Sequence, residues 1–217
     1  LTLDLELREA PGGLLANAVS IPGQPKVSLD LKGTGPLDKW AARLDFNAGA
    51  GIGAKGDATL LRSGAARRLV LDIDSRIEGL LPPIAAGIFA GATTLKGDAL
   101  IGDDGSLTLP RLRLAAQLAE LDISGKFNAD KSFDLSVLAR ALANENGETR
   151  RGDFRIAKLN FATKASGTFD KPVVEGKFEA RQFRSPTGGV NSAVADFSVK
   201  PDADGKLLVI ADAEIKG

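Results

Sequence analysis

Alternation of apolar and polar residues runs through most of this chain and constrains its fold more than any other feature. The segment VSLDLK places Val27, Leu29 and Leu31 on one side of an extended chain and polar residues on the other. The segments RLVLDIDS (68–75) and KLLVIADAEI (206–215) follow the same pattern over most of their length. Because successive side chains of a strand point to opposite faces, a period of two predicts strands with one buried face and one solvent-exposed face.

Short turn signals separate the alternating segments. They read GTGPLD, NAGAGIG, RSGAA, GDDGS, NADKS, NENGE, SPTGG and PDADG. These stretches supply the Gly, Asn, Asp and Pro residues that tight hairpin turns require. The repeated order of strand, turn and strand predicts an antiparallel meander.

Two stretches depart from the period of two and are predicted to be short helices. The first covers residues 12–19, and the second covers residues 76–90 with Pro82 and Pro83 in or near its first turn. For the second stretch we favour an amphipathic helix, whole or broken, that packs on the sheet. Membrane insertion is the alternative, but the apolar run is too short to span a bilayer.

One turn-and-strand phrase occurs twice. TGPLDKWAARLDFNA occupies residues 34–48 and SGTFDKPVVEGKFEA occupies residues 166–180, and both contain Gly-x-[Leu/Phe]-Asp-Lys followed by an alternating strand. Trp40, the single tryptophan, stands where the second copy has Pro172. The repetition predicts that the same structural unit occurs twice. Trp40 is predicted to cap the core at a strand edge.

The predicted strands present more apolar surface than two short helices can cover. An apolar sheet face has to be buried against another element or a ligand. Three arrangements remain: the sheet folds on itself as a sandwich, closes into a barrel, or stays open and holds an apolar ligand. We expect an all-β fold built on an antiparallel sheet, and these three arrangements stay open at this point. It would form a single β-repeat module over residues 1–217, as part of a longer chain.

Composition excludes several classes of function. The chain has no Cys and no His, so zinc, copper and iron–sulfur sites lack their usual ligands. Catalytic triads based on Ser-His-Asp or Cys-His cannot be assembled. The DADG segment fails as a calcium loop, because the twelfth position counted from Asp202 is Ala213 and not Glu. We therefore expect no enzyme activity, no metal and no cofactor.

The charges are balanced, with 28 basic and 28 acidic residues. A nucleic-acid binder normally carries a basic excess, since phosphate neutralisation dominates its affinity, so we expect no nucleic-acid partner. Most carboxylates lie at alternating strand positions or in turns, which is typical of a solvated sheet face.

The apolar residues of the alternating segments are the candidates for a ligand-binding surface. Acyl chains need only a dry surface, and each buried CH₂ group contributes about 0.8 kcal/mol. The candidate groove residues are Val27, Leu29, Leu31, Leu44, Phe46, Leu69, Leu71, Ile73, Leu121, Ile123, Phe133, Leu135, Val137, Phe178 and Val209.

Three segments carry a family resemblance. They are IPGQPKVSLDLKGTGPLDKWAARLDFNA (21–48), IEGLLPPIAAGIFAGATTLKGDALI (77–101) and ASGTFDKPVVEGKFEA (165–180). In their PG-x-P lead, their Gly-rich turns and their alternating strands, these segments resemble the TamB and AsmA-like proteins of diderm bacteria, in particular those of alphaproteobacteria.

The resemblance implies a function and a location. Proteins of this family are anchored in the inner membrane and extend through the periplasm as a long curved sheet. The apolar concave face of that sheet is thought to carry phospholipids toward the outer membrane. Their partner is a TamA-like outer-membrane barrel of the BamA class. By this resemblance, the chain is an interior periplasmic section that binds phospholipid.

Two other interpretations remain open at this stage. The first is a closed β-sandwich with a structural or partner-binding role in outer-membrane protein assembly, without lipid conduction. The second is a hydrolase based on paired carboxylates, which is the weaker because the chain offers no nucleophile or metal constellation.

Overall fold

The computed structural model describes residues 1–18, 21–49, 51–81, 83–142, 149–151, 153–202 and 204–217. In these ranges the chain forms fifteen strands and two short α-helices. The predicted all-β class is confirmed, since the strands pair antiparallel in an open sheet. Some positions used in the sequence-based predictions lie outside the described residues: Val19, Ala50, Pro82, the NENGE turn at 144–148, and Ala203.

The chain divides into two compact units, which we describe separately. Unit 1 comprises Leu1–Asp103 and Leu114–Gln117, and unit 2 comprises Asp104–Arg113 and Leu118–Gly217.

Unit 1 is built on six strands that pair in the order of the sequence. They are β1 (Thr2–Glu9), β2 (Val27–Thr34), β3 (Lys39–Asn47), β4 (Gly53–Ser63), β5 (Ala66–Arg76) and β6 (Thr93–Gly102). Each strand is antiparallel to the next, so that Leu31 lies opposite Leu5 on one side and Leu44 on the other. This is the meander predicted from the turn signals.

Two short helices interrupt the meander close to the predicted places. Helix α1 (Leu14–Ala18) follows β1, and helix α2 (Pro83–Ile88) precedes β6. A 3₁₀ turn at Glu78–Leu80 precedes α2, and Leu81 between them is extended. An extended residue is expected there, because the residue before a proline is disfavoured in the helical region. No helix in the described ranges has the length and apolar character needed to cross a bilayer.

Unit 2 contains most of the remaining strands. They are β7 (Leu107–Ala115, whose last two residues belong to unit 1), β8 (Ala119–Phe127), β9 (Ser132–Ala141), β10 (Thr149–Arg151), β11 (Phe154–Ile156), β12 (Lys158–Thr168), β13 (Pro172–Ser185), β14 (Gly188–Pro201) and β15 (Leu207–Lys216). From β8 the pairing order is β8-β9-β12-β13-β14-β15. The β10–β11 hairpin joins the far end of β13 through Arg155 and Arg184.

The fully buried side chains lie at the ends of the strands. In unit 1, Ile21 and Ala16 of the α1 region pack on Val27, Ala48 and Ile52, which lie at or beside the ends of β2, β3 and β4. In unit 2, the largest fully buried side chains are Leu118 and Ile156, beside the start of β8 and at the end of β11. Burying a side chain of this size contributes roughly 1.5–3 kcal/mol. In the described ranges, most of the larger side chains in the strand middles are only half-buried.

The two copies of the repeated phrase form the same turn. Gly35 has φ of 121° and Gly167 has φ of 102°. The Lys39 N–H donates to the Pro36 carbonyl at 2.9 Å, and the Lys171 N–H donates to the Thr168 carbonyl at 3.1 Å. The phrase is therefore a repeated turn that starts a new strand.

The segments that faintly resemble calcium loops are turns closed by their own carboxylates. Asp202 accepts the backbone N–H groups of Asp204 and Lys206 at 2.9 and 2.8 Å. Asp104 accepts the Ser106 backbone N–H at 2.9 Å and its hydroxyl at 2.6 Å, and these bonds lower the pKa of Asp104.

Candidate functional site

Cross-strand register sorts the side chains of unit 2 into two faces. Residues directly opposite one another in antiparallel strands point to the same side. Three successive rows on one side, each running from β8 to β15, are almost wholly apolar. These rows are Leu121, Ala139, Phe161, Phe178, Ala195 and Ala213; Ile123, Val137, Thr163, Gly176, Phe197 and Ala211; and Gly125, Leu135, Ala165, Val174, Val199 and Val209. We call this surface the apolar face of unit 2.

Aromatic contacts confirm that these side chains meet on one side of the sheet. The rings of Phe161 and Phe197 stack with centroids 5.8 Å apart. The Phe197 ring covers Gly176, where a Cβ atom would collide with it. Nearer the turns, Phe133 lies 6.1 Å from Phe127 and 5.3 Å from Phe169.

Unit 1 has a face of the same kind, which we call the apolar face of unit 1. Its rows are Leu7, Leu29, Phe46 and Ala54; Leu5, Leu31, Leu44, Gly56, Ile73 and Leu95; Leu3, Gly33, Ala42, Ala58, Leu71 and Gly97; and Trp40, Leu60, Leu69 and Ala99. The Trp40 ring covers Gly33, and its indole nitrogen is buried without a hydrogen-bond partner in the described ranges.

Within each unit, these apolar faces are half-buried rather than enclosed. Most of these side chains are half-buried, whereas a second layer packed on the strand middles of the described residues would bury them. At the edges, exposure rises to 41% for Leu5 and to 66% for Val209. A sheet with a large apolar face and no second layer is a surface for another molecule to cover.

All fifteen candidate residues lie on the two apolar faces. Unit 1 holds Val27, Leu29, Leu31, Leu44, Phe46, Leu69, Leu71 and Ile73, and unit 2 holds Leu121, Ile123, Phe133, Leu135, Val137, Phe178 and Val209. Two of them are buried by the chain itself: Val27 beneath the α1 region and Phe133 in the aromatic cluster.

The candidate list missed members of the same faces. They include Leu5, Leu60, Leu95, Phe161, Val174, Phe197 and Val199. Period-two alternation around Phe161, Phe197 and Val199 would have identified them, whereas Leu60 and Val174 each have an apolar neighbour that obscures the pattern. What alternation alone does not reveal is which residues of different strands share a row.

The opposite face of each sheet is charged and internally paired. In unit 1, one row reads Asp4, Lys32, Arg43, Asp57, Asp72 and Lys96. Arg43 donates to Asp57 at 3.1 Å, and the hydrogen bond to that carboxylate raises the pKa of Arg43. Such exposed pairs contribute at most about 1 kcal/mol each. Their effect is on register, since opposite charges directly across two strands favour one alignment.

One ion-pair network on the charged face of unit 2 is less exposed. Glu120 on β8 is only 6% exposed and binds Arg140 on β9 and Arg113 on β7. Asp122 accepts hydrogen bonds from Arg111 at 2.8 Å and from Arg113 at 3.0 Å. The hydrogen bond to Asp122 raises the pKa of Arg113. This network joins three strands.

A groove of about 870 Å³ crosses the strands of unit 2. On β15 it is lined by Ile210 and Asp212 but not by Ala211, whose side chain belongs to the apolar face. The two complete rows that line it, those of Asp122 and Ser124, belong to the charged face, and five members of the apolar row between them also line it. The apolar rows of Leu121 and Gly125 do not, which places the groove on the charged face. Its charges include the pair Lys177–Asp196 at 3.0 Å, so it does not concentrate one sign of charge.

Within the described part of the chain, no three His, Cys, Asp or Glu side chains are placed to hold a metal ion. Comparisons of the chain with protein-family models, with curated proteins and with solved structures found no match. The candidate functional surface is thus defined by the chain's own geometry.

Proposed function

We propose that this chain is a section of a lipid-transfer protein. Its apolar faces would hold the acyl chains of phospholipids that move between the inner and outer membranes. The section would lie in the periplasm as part of a protein anchored in the inner membrane. The full protein would contribute to outer-membrane biogenesis, and its partner would be a barrel of the BamA class. One observation carries the proposal: three adjacent rows on six strands of unit 2 expose almost only apolar groups, and the described residues of that unit leave these groups half-buried.

The chemistry of these faces suits acyl chains better than most other ligands. Aliphatic side chains and Phe make up the rows, and Thr163 is the only polar residue in the three rows of unit 2. An acyl chain asks for no directional hydrogen bond, and each CH₂ group that leaves water contributes about 0.8 kcal/mol. A conduit also needs many similar positions rather than one tight site, and the repeated rows provide them.

The second candidate function is a partner-binding module without lipid conduction. Strand β15 favours it, because all ten of its residues are exposed and its described pairing is with β14 alone. An exposed strand edge can accept a strand of another protein. Assembly of outer-membrane proteins is a process in which such strand addition would be used.

Site-specific photocrosslinking separates the two functions. A photoreactive residue at Phe178 faces the apolar side, and the same residue at the neighbouring Lys177 faces the charged side. Leu29 and Asp30 make a second matched pair in unit 1. In a native periplasm, we expect phospholipid adducts from the Phe178 and Leu29 positions and few from their neighbours.

The outcomes of this experiment are distinct. Lipid adducts that depend on the apolar side support conduction. Adducts that form only with other proteins support the partner-binding module. Adducts confined to the chain itself would contradict both and would mean that the apolar faces are covered internally.

A further inference from the structure

A pair of arginines stands at one border of the apolar face of unit 1. Leu60 lies opposite Leu69, and two residues further along the same two strands Arg62 lies opposite Arg67. A step of two residues returns to the same face, so both arginines follow directly on the apolar row that contains Trp40. They lie where the turns at 35–38 and 64–65 join the strands, at the end opposite the α1 region.

The two arginines share a single carboxylate. Asp103 accepts two hydrogen bonds from Arg62, at 3.2 and 2.9 Å, and one from Arg67 at 3.1 Å. The Asp103 N–H donates to the Ala65 carbonyl at 3.2 Å, which fixes the carboxylate beside the turn. The arginine side chains remain 39% and 34% exposed.

The ratio of cations to carboxylates at the Arg62–Arg67 pair differs from the ratio on the opposite face of the sheet. There, Arg68 has Asp98 at 2.7 Å and Arg43 has Asp57 at 3.1 Å, one cation to one carboxylate. At the Arg62–Arg67 pair two cations meet one anion. The adjoining turns add Asp38, Lys39 and Asp104, so the pair is distinguished by spare donors and not by net charge. In the described ranges the Arg67 guanidinium donates a single hydrogen bond, to Asp103.

We propose that Arg62 and Arg67 bind the phosphate group of a phospholipid whose acyl chains lie on the adjoining apolar face. Guanidinium groups match the geometry of phosphate oxygens and donate two parallel hydrogen bonds. Trp40, which lies opposite Leu60 in the adjoining row, adds a large apolar ring to the same border. The proposal rests on the function proposed above and adds a headgroup site to it.

The neighbouring Arg68 offers a matched control, because it lies next to Arg67 in sequence but on the opposite face of the sheet. The test uses the full chain freed of lipid, with the double variant Arg62→Gln/Arg67→Gln and the control Arg68→Gln. Each protein is incubated with vesicles that contain phosphatidylglycerol and diacylglycerol with identical acyl chains. The captured lipids are quantified by mass spectrometry, and thermal unfolding checks that each variant folds.

The expected result is a shift in lipid choice. The double variant should lower the ratio of phosphatidylglycerol to diacylglycerol captured by about fivefold, the size of an exposed charge contact at the upper end of its range. Arg68→Gln should leave the ratio as in the unsubstituted chain. Raising the ionic strength should lower the ratio in the unsubstituted chain too, because salt screens exposed charges.

Three outcomes would overturn the inference, and they differ from failure of the proposed function. If the double variant still captures both lipids in an unchanged ratio, the headgroup site is contradicted and the proposed lipid transfer is not. If Arg68→Gln lowers the ratio of phosphatidylglycerol to diacylglycerol equally, the effect comes from the net charge of the protein and not from a site at Arg62 and Arg67. If inorganic phosphate binds the arginines without lipid capture being altered, the site serves free phosphate. Capture of neither lipid by the unsubstituted chain contradicts lipid transfer itself.

Discussion

At positions 35 and 167 both the backbone conformation and the close approach of another backbone segment require glycine. Both residues have φ above 100°, where side chains with a Cβ atom are strained. The carbonyl oxygens of Lys39 and Lys171 lie where that Cβ atom would stand. The repeated phrase therefore keeps its glycine because no other residue permits the turn to close against the next strand.

We expect Gly167→Ala to destabilise the protein by about 2–3 kcal/mol, from backbone strain plus collision with a carbonyl oxygen. Gly105→Ala is the matched control, since Gly105 has φ of 84° but open space around it. The control should cost only about 1 kcal/mol. Urea unfolding of the two variants measures the difference. Equal losses would show that the collision has no effect on stability.

At the level of the strands, stability and alignment come from different parts of the charged face. The exposed cross-strand pairs are numerous and individually weak. The Glu120 network is different, because a carboxylate that is 6% exposed has little water to replace a lost partner. It ties β7, β8 and β9 together through Arg113 and Arg140.

Glu120→Gln should therefore cost about 1–3 kcal/mol, because the arginines lose their charged partner in a partly dry setting. Asp57→Asn, which removes the exposed partner of Arg43, should cost less than about 1 kcal/mol. Thermal unfolding of both variants gives the comparison. Equal and small effects would show that the Glu120 network is solvated despite its burial.

Much of the element structure could be predicted from local sequence. Period-two alternation identified the apolar side of strands such as β2 and β9, and the turn residues identified the meander. The broken helix near residue 80 could be expected from its two prolines. The β10–β11 hairpin could not, because strands of three residues carry too little alternation to recognise.

The molecule as a whole presents one side that is apolar and one that is charged in each unit. Under the proposed function, a charge on the apolar side has to be buried against acyl chains or forced to turn away from them. Burial of an arginine in such a setting costs on the order of 2–3 kcal/mol. Transport should therefore be sensitive to the face on which a charge is placed, more than to its position along the chain.

Leu135→Arg tests this expectation, with Ser136→Arg as the neighbouring control on the charged face. We expect Leu135→Arg to lower lipid capture by about thirtyfold or more, following the cost above, and Ser136→Arg to leave it nearly unchanged. Capture of fluorescent phospholipid by the folded variants is the measurement. Equal capture by both variants would contradict a role for the apolar face.

The candidate surface could be predicted as a set of residues but not as a geometry. Leu29, Leu135 and Phe178 were identified from alternation, and they lie on the apolar faces. The approach of Arg62 and Arg67 to Asp103 was not predicted, because Asp103 is 41 residues from Arg62 and their contact depends on strand register. Long-range pairing of this kind leaves no local signal in one sequence.

The uniformity of the rows has a kinetic consequence for any lipid held there. Neighbouring strands lie about 4.8 Å apart, so a lipid that shifts sideways by one strand exchanges one set of apolar contacts for another. Its free-energy profile across the strands of one unit then consists of steps where a row passes from Phe to Ala, Gly or Thr, with no single deep minimum. Movement on such a surface is unbiased diffusion in one dimension. The direction of net flow would be set by the difference in lipid chemical potential between the two ends and not by the sheet itself.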